Sequence, residues 1–231
     1  MKKFKQILLL SGGIDSFIAW HYLNKPQTIY FDTNGMYSKK EIEVIKELVP
    51  TTIIDTSLRL GDIEQEDAHL PYRNLFFAMM ASAKYADVVY IVGIKDDKVS
   101  DKTEKVFETW SIMLSEMENR KIQILSPFWD KTKSDIIKWY LNTGLPKEAL
   151  LNTISCYSKD NERYCGKCAS CFRKWVALRA SGFEIDFYNN EMILEYKHRC
   201  EEGYYNKERN EETLLIIKNY ENNERKKEDS G

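Results

Sequence analysis

Residues 8–17 read LLLSGGIDSF: an apolar run, then Ser11-Gly12-Gly13, then Ile14-Asp15-Ser16-Phe17. An apolar stretch that stops at two adjacent glycines and resumes in a helical pattern is a strand handing over to a helix. Glycine lets an anion approach the backbone amides of such a junction, because no Cβ intervenes and positive φ costs little. Amides in this geometry form a nest, and the helix N-terminus adds a favourable dipole. The hydroxyls of Ser11 and Ser16 are further donors. Asp15 would be repelled by a phosphate unless Mg²⁺ lay between them. The stretch is not a Walker A loop, since no Gly-Lys-Ser/Thr follows, and it lacks Gly-x-Gly-x-x-Gly spacing. A plain glycine-rich turn accounts for two glycines alone. The serine before them, the aspartate two after and the serine three after favour a phosphate loop. Its nucleotide-binding residues are Leu10, Ser11, Gly12, Gly13, Ile14, Asp15, Ser16 and Phe17.

Working outward, β-rich runs at residues 4–10, 28–31, 52–54, 88–92 and 122–125 alternate with helical patterns at 15–24, 38–49, 75–85, 103–117 and 132–143. In 103–117, Val106, Phe107, Trp110, Met113, Leu114 and Met117 recur at helical spacing. Residues 75–81 are apolar nearly all round, as in a helix covered on two sides. The alternation predicts an α/β fold: a parallel five-stranded sheet sandwiched by helices, Rossmann-type. In such sheets ligands bind beyond the carboxyl ends of the strands, where Ser11-Gly12-Gly13 falls.

After Gly144 the character changes. Residues 1–148 read as the nucleotide domain and 149–220 as a cysteine-bearing, helical C-terminal region, with helical patterns at 172–180, 191–198 and 211–220. Residues 221–231, ENNERKKEDSG, read as a disordered tail.

Cys156 is followed by Cys165-x-x-Cys168-x-x-Cys171; Cys200 stands apart. Four thiolates suit tetrahedral Zn²⁺ in a closed structural site, and Gly166 allows the tight turn between ligands. An iron–sulfur cluster and free thiols are the alternatives, although the spacing does not match the bacterial ferredoxin run. An odd count of five cysteines argues against a disulfide framework.

The net charge of −2 over 231 residues does not announce a nucleic-acid binder. The apolar run after MKKFKQ is short for a secretory core and leads into SGG rather than a small-residue cleavage site. No stretch approaches a membrane span. The expectation is a cytoplasmic protein that uses neither membrane nor nucleic acid as a direct partner.

SGGIDS is similar to the loop of the PP-loop, or N-type, ATP pyrophosphatases. The chain as a whole resembles the 7-cyano-7-deazaguanine synthase (QueC-type) family. That resemblance runs through LLLSGGIDS, through PYRNLFFAMMASAKYA with Arg73 and Asn74, and through YIVGIKDD. It continues in SPFWDKTKSDIIKW with Thr132, Lys133 and Asp135, and in SCY…CGKCASC with Arg173 behind it. It implies an adenine nucleotide alpha hydrolase-like fold, with ATP, Mg²⁺ and Zn²⁺ as cofactors. It also implies ligation of ammonia to 7-carboxy-7-deazaguanine, through adenylated intermediates, to give the 7-cyano product with AMP and pyrophosphate. A homodimer is part of the same implication.

By that reading Asp15 positions Mg²⁺, and Lys133 is a counter-charge for developing phosphate, against a solvated lysine in a first helical turn. Arg73 clamps a phosphate or carboxylate, against a partner for an acidic loop. Asp96, Asp97 and Asp101 are candidates to accept from a guanine-like edge, against a solvated loop. The chain departs from the family's usual pattern at FDTNGMYSKKE and IKDDKVSDKTEKVFE, and has Tyr72 where a glycine is usual. A different acceptor, or an amide product, is therefore the second reading. A tRNA thiolase would need an exposed catalytic cysteine and a basic face, and a binding-only zinc ribbon would turn over no ATP.

Overall fold

In a computed structural model of the chain, residues 4–66, 70–95, 97, 99–156 and 163–228 are described. Asp96, and the tyrosine of the SCY stretch (Tyr157), lie outside them.

The strands are β1 (Ile7–Leu9), β2 (Gln27–Phe31), β3 (Ile53–Asp55), β4 (Val88–Tyr90) and β5 (Gln123–Leu125). They form one sheet in the order β3-β2-β1-β4-β5, with every neighbouring pair parallel. β1 is shorter than residues 4–10 because Phe4 pairs only as an isolated bridge to Ala86. The interleaved helices are α1 (Ile14–Tyr22), α2 (Ser38–Leu48), α3 (Arg73–Lys84), α4 (Glu104–Glu118), α5 (Lys133–Asn142) and the short α6 (Ala149–Asn152). A 3₁₀ turn, Gly61–Ile63, and α6 are additions to the predicted elements, both too short to carry a period.

Successive strand residues face opposite sides of the sheet. Ile7, Ile29, Phe31, Val89 and Ile124 share a buried cluster with Ala78, Ala81, Phe107, Trp110 and Leu114, so α3 and α4 cover that side. Leu8 and Leu10 alternate with Ile7 and Leu9 and are also buried, and α1 packs against β1. The stripe predicted in α4 divides accordingly: Phe107, Trp110 and Leu114 are buried, while Met117 stays exposed.

Two compact units emerge. One comprises Met1–Thr132 and Tyr140–Ile154, and the other Lys133–Trp139 and Ser155–Gly231. The division differs from the expected break after residue 148. Residues 133–139 fall in the second unit, where the Ser134 hydroxyl donates to Glu212 Oε2 (2.6 Å) and Ser181 Oγ donates to the Ser134 carbonyl (3.2 Å). That unit also contains α7 (Ala169–Ala180), α8 (Asn190–Glu201) and α9 (Lys207–Glu228). Its core gathers Phe172, Trp175, Phe187, Ile193, Tyr196 and Ile217 around Cys156 and Cys171. Phe172 stacks on Tyr196 with ring centroids 4.3 Å apart, and Tyr220 meets Trp175 edge-on at 5.4 Å. The expected tail at 221–231 is helical as far as Glu228. Those residues are charged but contain no Gly or Pro, and Glu, Lys and Arg are good helix formers.

Candidate active site and metal centre

β1 returns through α1 to β2 on one side, while its other neighbour is β4. The loops leaving β1 and β4 therefore diverge at the switch point of the sheet, where α/β folds take ligands. The first of these is the loop read from the sequence. Leu10 donates its N–H to Ile29 O at 2.9 Å, extending the strand by one residue before the turn. Gly12 follows with φ +71°, and a Cβ there would sit 3.3 Å from both Ile154 Cγ2 and Val44 Cγ1, so space and dihedral both call for glycine. Its carbonyl accepts from the Ile154 N–H at 2.9 Å.

Ser16, buried in the first turn of α1, fixes the loop's shape. Its hydroxyl donates to Gly13 O (3.1 Å) and accepts from Ser11 N–H (3.3 Å), and it lies 3.2 Å from Ser11 Oγ. Ser16, expected to donate to an anion, also holds the loop together, and Ser11 is exposed. Gly13 is the N-cap of α1 and provides no side-chain cap for the first-turn amides. Ile14 and Phe17 are buried and anchor the helix, Phe17 meeting His21 edge-on at 4.9 Å. Asp15, between them, is half-buried.

Beside this loop run α3 and the segment after β4. Tyr72 caps α3 in the left-handed region (φ 57°, ψ 15°) with its side chain 73% exposed. A position that demands this conformation is one where glycine costs little and tyrosine is strained. Arg73 opens the helix and is exposed; Asn74 is buried and donates through Nδ2 to Asp101 Oδ2 at 2.9 Å. Asp101 thus has a structural task, and Asp97 accepts from the Ile94 N–H at 3.4 Å.

Two groups that the sequence reading passed over lie here. Burial pushes the Glu41 carboxyl up, against the hydrogen bond it accepts from Tyr30 Oη (2.6 Å) and the nearby positive charge of Arg73. The Tyr30 hydroxyl is raised in turn, by burial first and then by Glu41. Lys102 is half-buried, and desolvation pulls its ammonium below the usual lysine range. Asp97, Asp15 and Asp101 favour its charge, and Arg73 opposes it. No periodicity or motif marks either group. Burial beside charges from other elements is the signal (Tyr30 and Arg73 for Glu41; Asp97, Arg73 and Asp15 for Lys102), and a sequence does not carry it.

Lys133 is the first residue of α5 and only 8% exposed, in the second unit; Asp135 beside it is exposed. Lys133, expected as a counter-charge for developing phosphate, is thus not the solvated lysine of the alternative reading.

In the same unit Cys156, Cys165, Cys168 and Cys171 converge, their sulfurs all within 4.8 Å of one another. Cys165 Sγ and Cys171 Sγ are 3.9 Å apart, close to the roughly 3.8 Å edge of a tetrahedron with metal–sulfur bonds of about 2.3 Å. Backbone amides support the sulfurs: Lys167 N–H points to Cys165 Sγ (3.4 Å) and Cys171 N–H to Cys168 Sγ (3.5 Å). Gly166, at φ +66°, makes the turn between them. The Cys171 thiol is held far above its ordinary range by its hydrogen bond to Cys168 and by burial. Four crowded sulfurs disfavour one another's ionisation, and a cation at their centre reverses that balance. The cluster can hold a metal ion. Cys200 is buried apart from it and its thiol is raised by burial, as for an inert core cysteine.

The model of the family described as queuosine biosynthesis protein QueC matches residues 5–185, from the start of the sheet unit through the cysteine cluster. The chain belongs to the QueC family. Among its relatives, a 7-cyano-7-deazaguanine synthase of Sulfurihydrogenibium sp. is 30% identical over 222 residues, spanning 78% of this chain and 96% of the relative. One from Methanocaldococcus jannaschii is 27% identical, with 78% and 97% covered. The 7-cyano-7-deazaguanine synthase 2 of Sulfurisphaera tokodaii is 28% identical, and there the match spans 78% of this chain but 47% of the relative. The chain spans about half the length of that QueC relative and nearly all of the other two. No helix among the described residues is long and apolar enough to cross a membrane.

Proposed function

We propose that the chain is an ATP-dependent C–N ligase that converts 7-carboxy-7-deazaguanine and ammonia to 7-cyano-7-deazaguanine. A carboxylate oxygen attacks the α-phosphorus and pyrophosphate leaves. Ammonia then attacks the acyl carbon, AMP departs with that oxygen, and one proton is released to leave the amide. The amide oxygen attacks a second ATP in the same way. Departure of AMP with this oxygen, and loss of the two nitrogen protons, leaves the nitrile. Both activations are attack by a substrate oxygen on an α-phosphate, so one anion cradle serves each.

The observation that carries this reading is the Ser11–Ser16 loop at the switch point of the sheet in a QueC-family chain. Its uncapped first-turn amides favour charge building on the leaving pyrophosphate. Gly12 and Gly13 let the phosphates approach, and Ser16 keeps the loop in shape. Asp15 would hold Mg²⁺, which when bound neutralises phosphate charge. Arg73 at the start of α3 would hold a phosphate or the substrate carboxylate. Zn²⁺ is the ion we assign to the four cysteines, in a closed structural role.

Purified protein given ATP, Mg²⁺, ammonia and 7-carboxy-7-deazaguanine should release AMP and pyrophosphate and form the nitrile, identified by mass spectrometry. Pyrophosphate release that ignores the acid would contradict the assignment. A product that stops at the amide, or joins the deazapurine to another amine, would move it to the second acceptor reading.

A further inference from the structure

Lys102 has no role in the account so far, yet its position is unusual for a lysine. The ammonium is half-buried, and among the described residues no carboxylate closes onto it as an ion pair. The Asp97, Asp101 and Asp15 charges reach it only through space, while Arg73 works against it. A cation that has lost part of its water without gaining a contact partner is costly, and such groups are kept where a ligand completes them.

Three features fix the backbone at Lys102 in place. The Lys102 N–H donates to Val99 O at 3.0 Å, closing a turn. Asp101, the residue before it, is tethered by buried Asn74 from α3. Thr103, the residue after it, caps the fifteen-residue helix α4 by accepting from the Val106 N–H. Lys102 therefore stands one residue ahead of a capped helix N-terminus, in the segment after β4, beside the loop after β1 that carries Asp15. An ammonium and a helix N-terminus at the switch point of a parallel sheet both favour an oxyanion.

We propose that Lys102 binds an oxyanion of the reacting groups, so that the segment after β4 supplies a second clamp beside the glycine loop. The anion is the nucleotide's phosphate or the acceptor's carboxylate, which share this chemistry. The inference rests on the adenylating function proposed above and extends it to a residue that no motif marks. Lysine acts here as a point charge rather than a bidentate fork, so arginine would restore charge but not geometry.

The test is calorimetric binding of two probes to the full chain: α,β-methylene ATP with Mg²⁺, and 7-carboxy-7-deazaguanine. Lys102→Met should weaken one of them at least tenfold, with Lys102→Arg intermediate. Loss for the nucleotide identifies phosphate, and loss for the deazapurine identifies carboxylate. Thermal unfolding of Lys102→Met should match or exceed wild type, because a desolvated charge has been removed; a structural lysine would instead lose stability. Unchanged affinity for both probes, with wild type binding them, would overturn the inference alone. A wild-type chain that binds neither would overturn the proposed function and the inference with it.

Discussion

The two compact units reach stability by different routes. The sheet unit buries a continuous apolar layer: five parallel strands with Ile, Val and Leu facing both sides, and α3 and α4 closing one of them. The cysteine unit has three principal helices whose apolar residues meet around Cys156 and Cys171, so its core converges on four sulfurs rather than on a sheet. The lesson is one of dependence. The first unit is held by area removed from water, and the second gathers its smaller apolar core around a four-cysteine cluster that can hold a metal ion.

Metal removal is the sharpest way to break that contrast. A structural Zn²⁺ site is worth an apparent ~10–16 kcal/mol of folding free energy. The purified chain should carry zinc, and chelation, or Cys165→Ala, should remove it and melt α7 to α9. Hydrogen exchange should show those helices losing protection while the strands of the sheet unit keep theirs. Equal loss in both units would erase the distinction.

Next in size is Asp15→Ala. Turnover should fall by about a hundredfold or more, the order expected for losing a group that organises transition-state charge. The melting temperature should stay within a degree or two of wild type, because Asp15 is not part of the apolar layer. A variant that unfolds would make Asp15 a structural residue of the loop.

The expectations that succeeded and those that fell short differ for physical reasons. LLLSGGIDSF gave away the switch-point loop because its glycines, serines and aspartate are local requirements, read without knowing what lies nearby. The cysteine spacing was legible for the same reason. Strand and helix order followed from apolar periodicity, and boundaries moved by only a few residues. What could not be read was convergence. The Tyr30–Glu41 pair joins β2 to the helix that follows it, and the Asn74–Asp101 bond and the setting of Lys102 join segments that follow different strands. Residues 221–228 misled in another way. Their charge argued for solvation, but solvated charge and helix are compatible, and α9 runs through them.

Within the sheet unit, Asp55 at the end of β3 provides a pH test. Burial alone would raise its carboxyl, but hydrogen bonds from Lys84, Ser57 and Tyr85 outweigh it and hold the group well below the carboxylate range. A depressed folded value gives stability that is present above the unfolded value near 4 and lost as pH falls through the folded one. The advantage of wild type over Asp55→Asn in urea should therefore be about 1–3 kcal/mol at neutral pH and shrink steadily below pH ~4. A gap that does not change with pH would remove Asp55 from the account.

The smallest effect is expected at Tyr72. Glycine removes a left-handed strain of about 1–2 kcal/mol but adds nearly 1 kcal/mol of unfolded-state freedom. Tyr72→Gly should thus be neutral to stabilising by about 1 kcal/mol in chemical denaturation, and a clear loss would show that the exposed ring makes contacts that matter.

The central claim concerns where oxygen goes. With both carboxylate oxygens of 7-carboxy-7-deazaguanine labelled with ¹⁸O, turnover should place one label in each of two AMP molecules per nitrile formed, with pyrophosphate unlabelled. Label in water or orthophosphate, or nucleotide released as ADP, would contradict attack on the α-phosphate and with it the role of the Ser11–Ser16 loop.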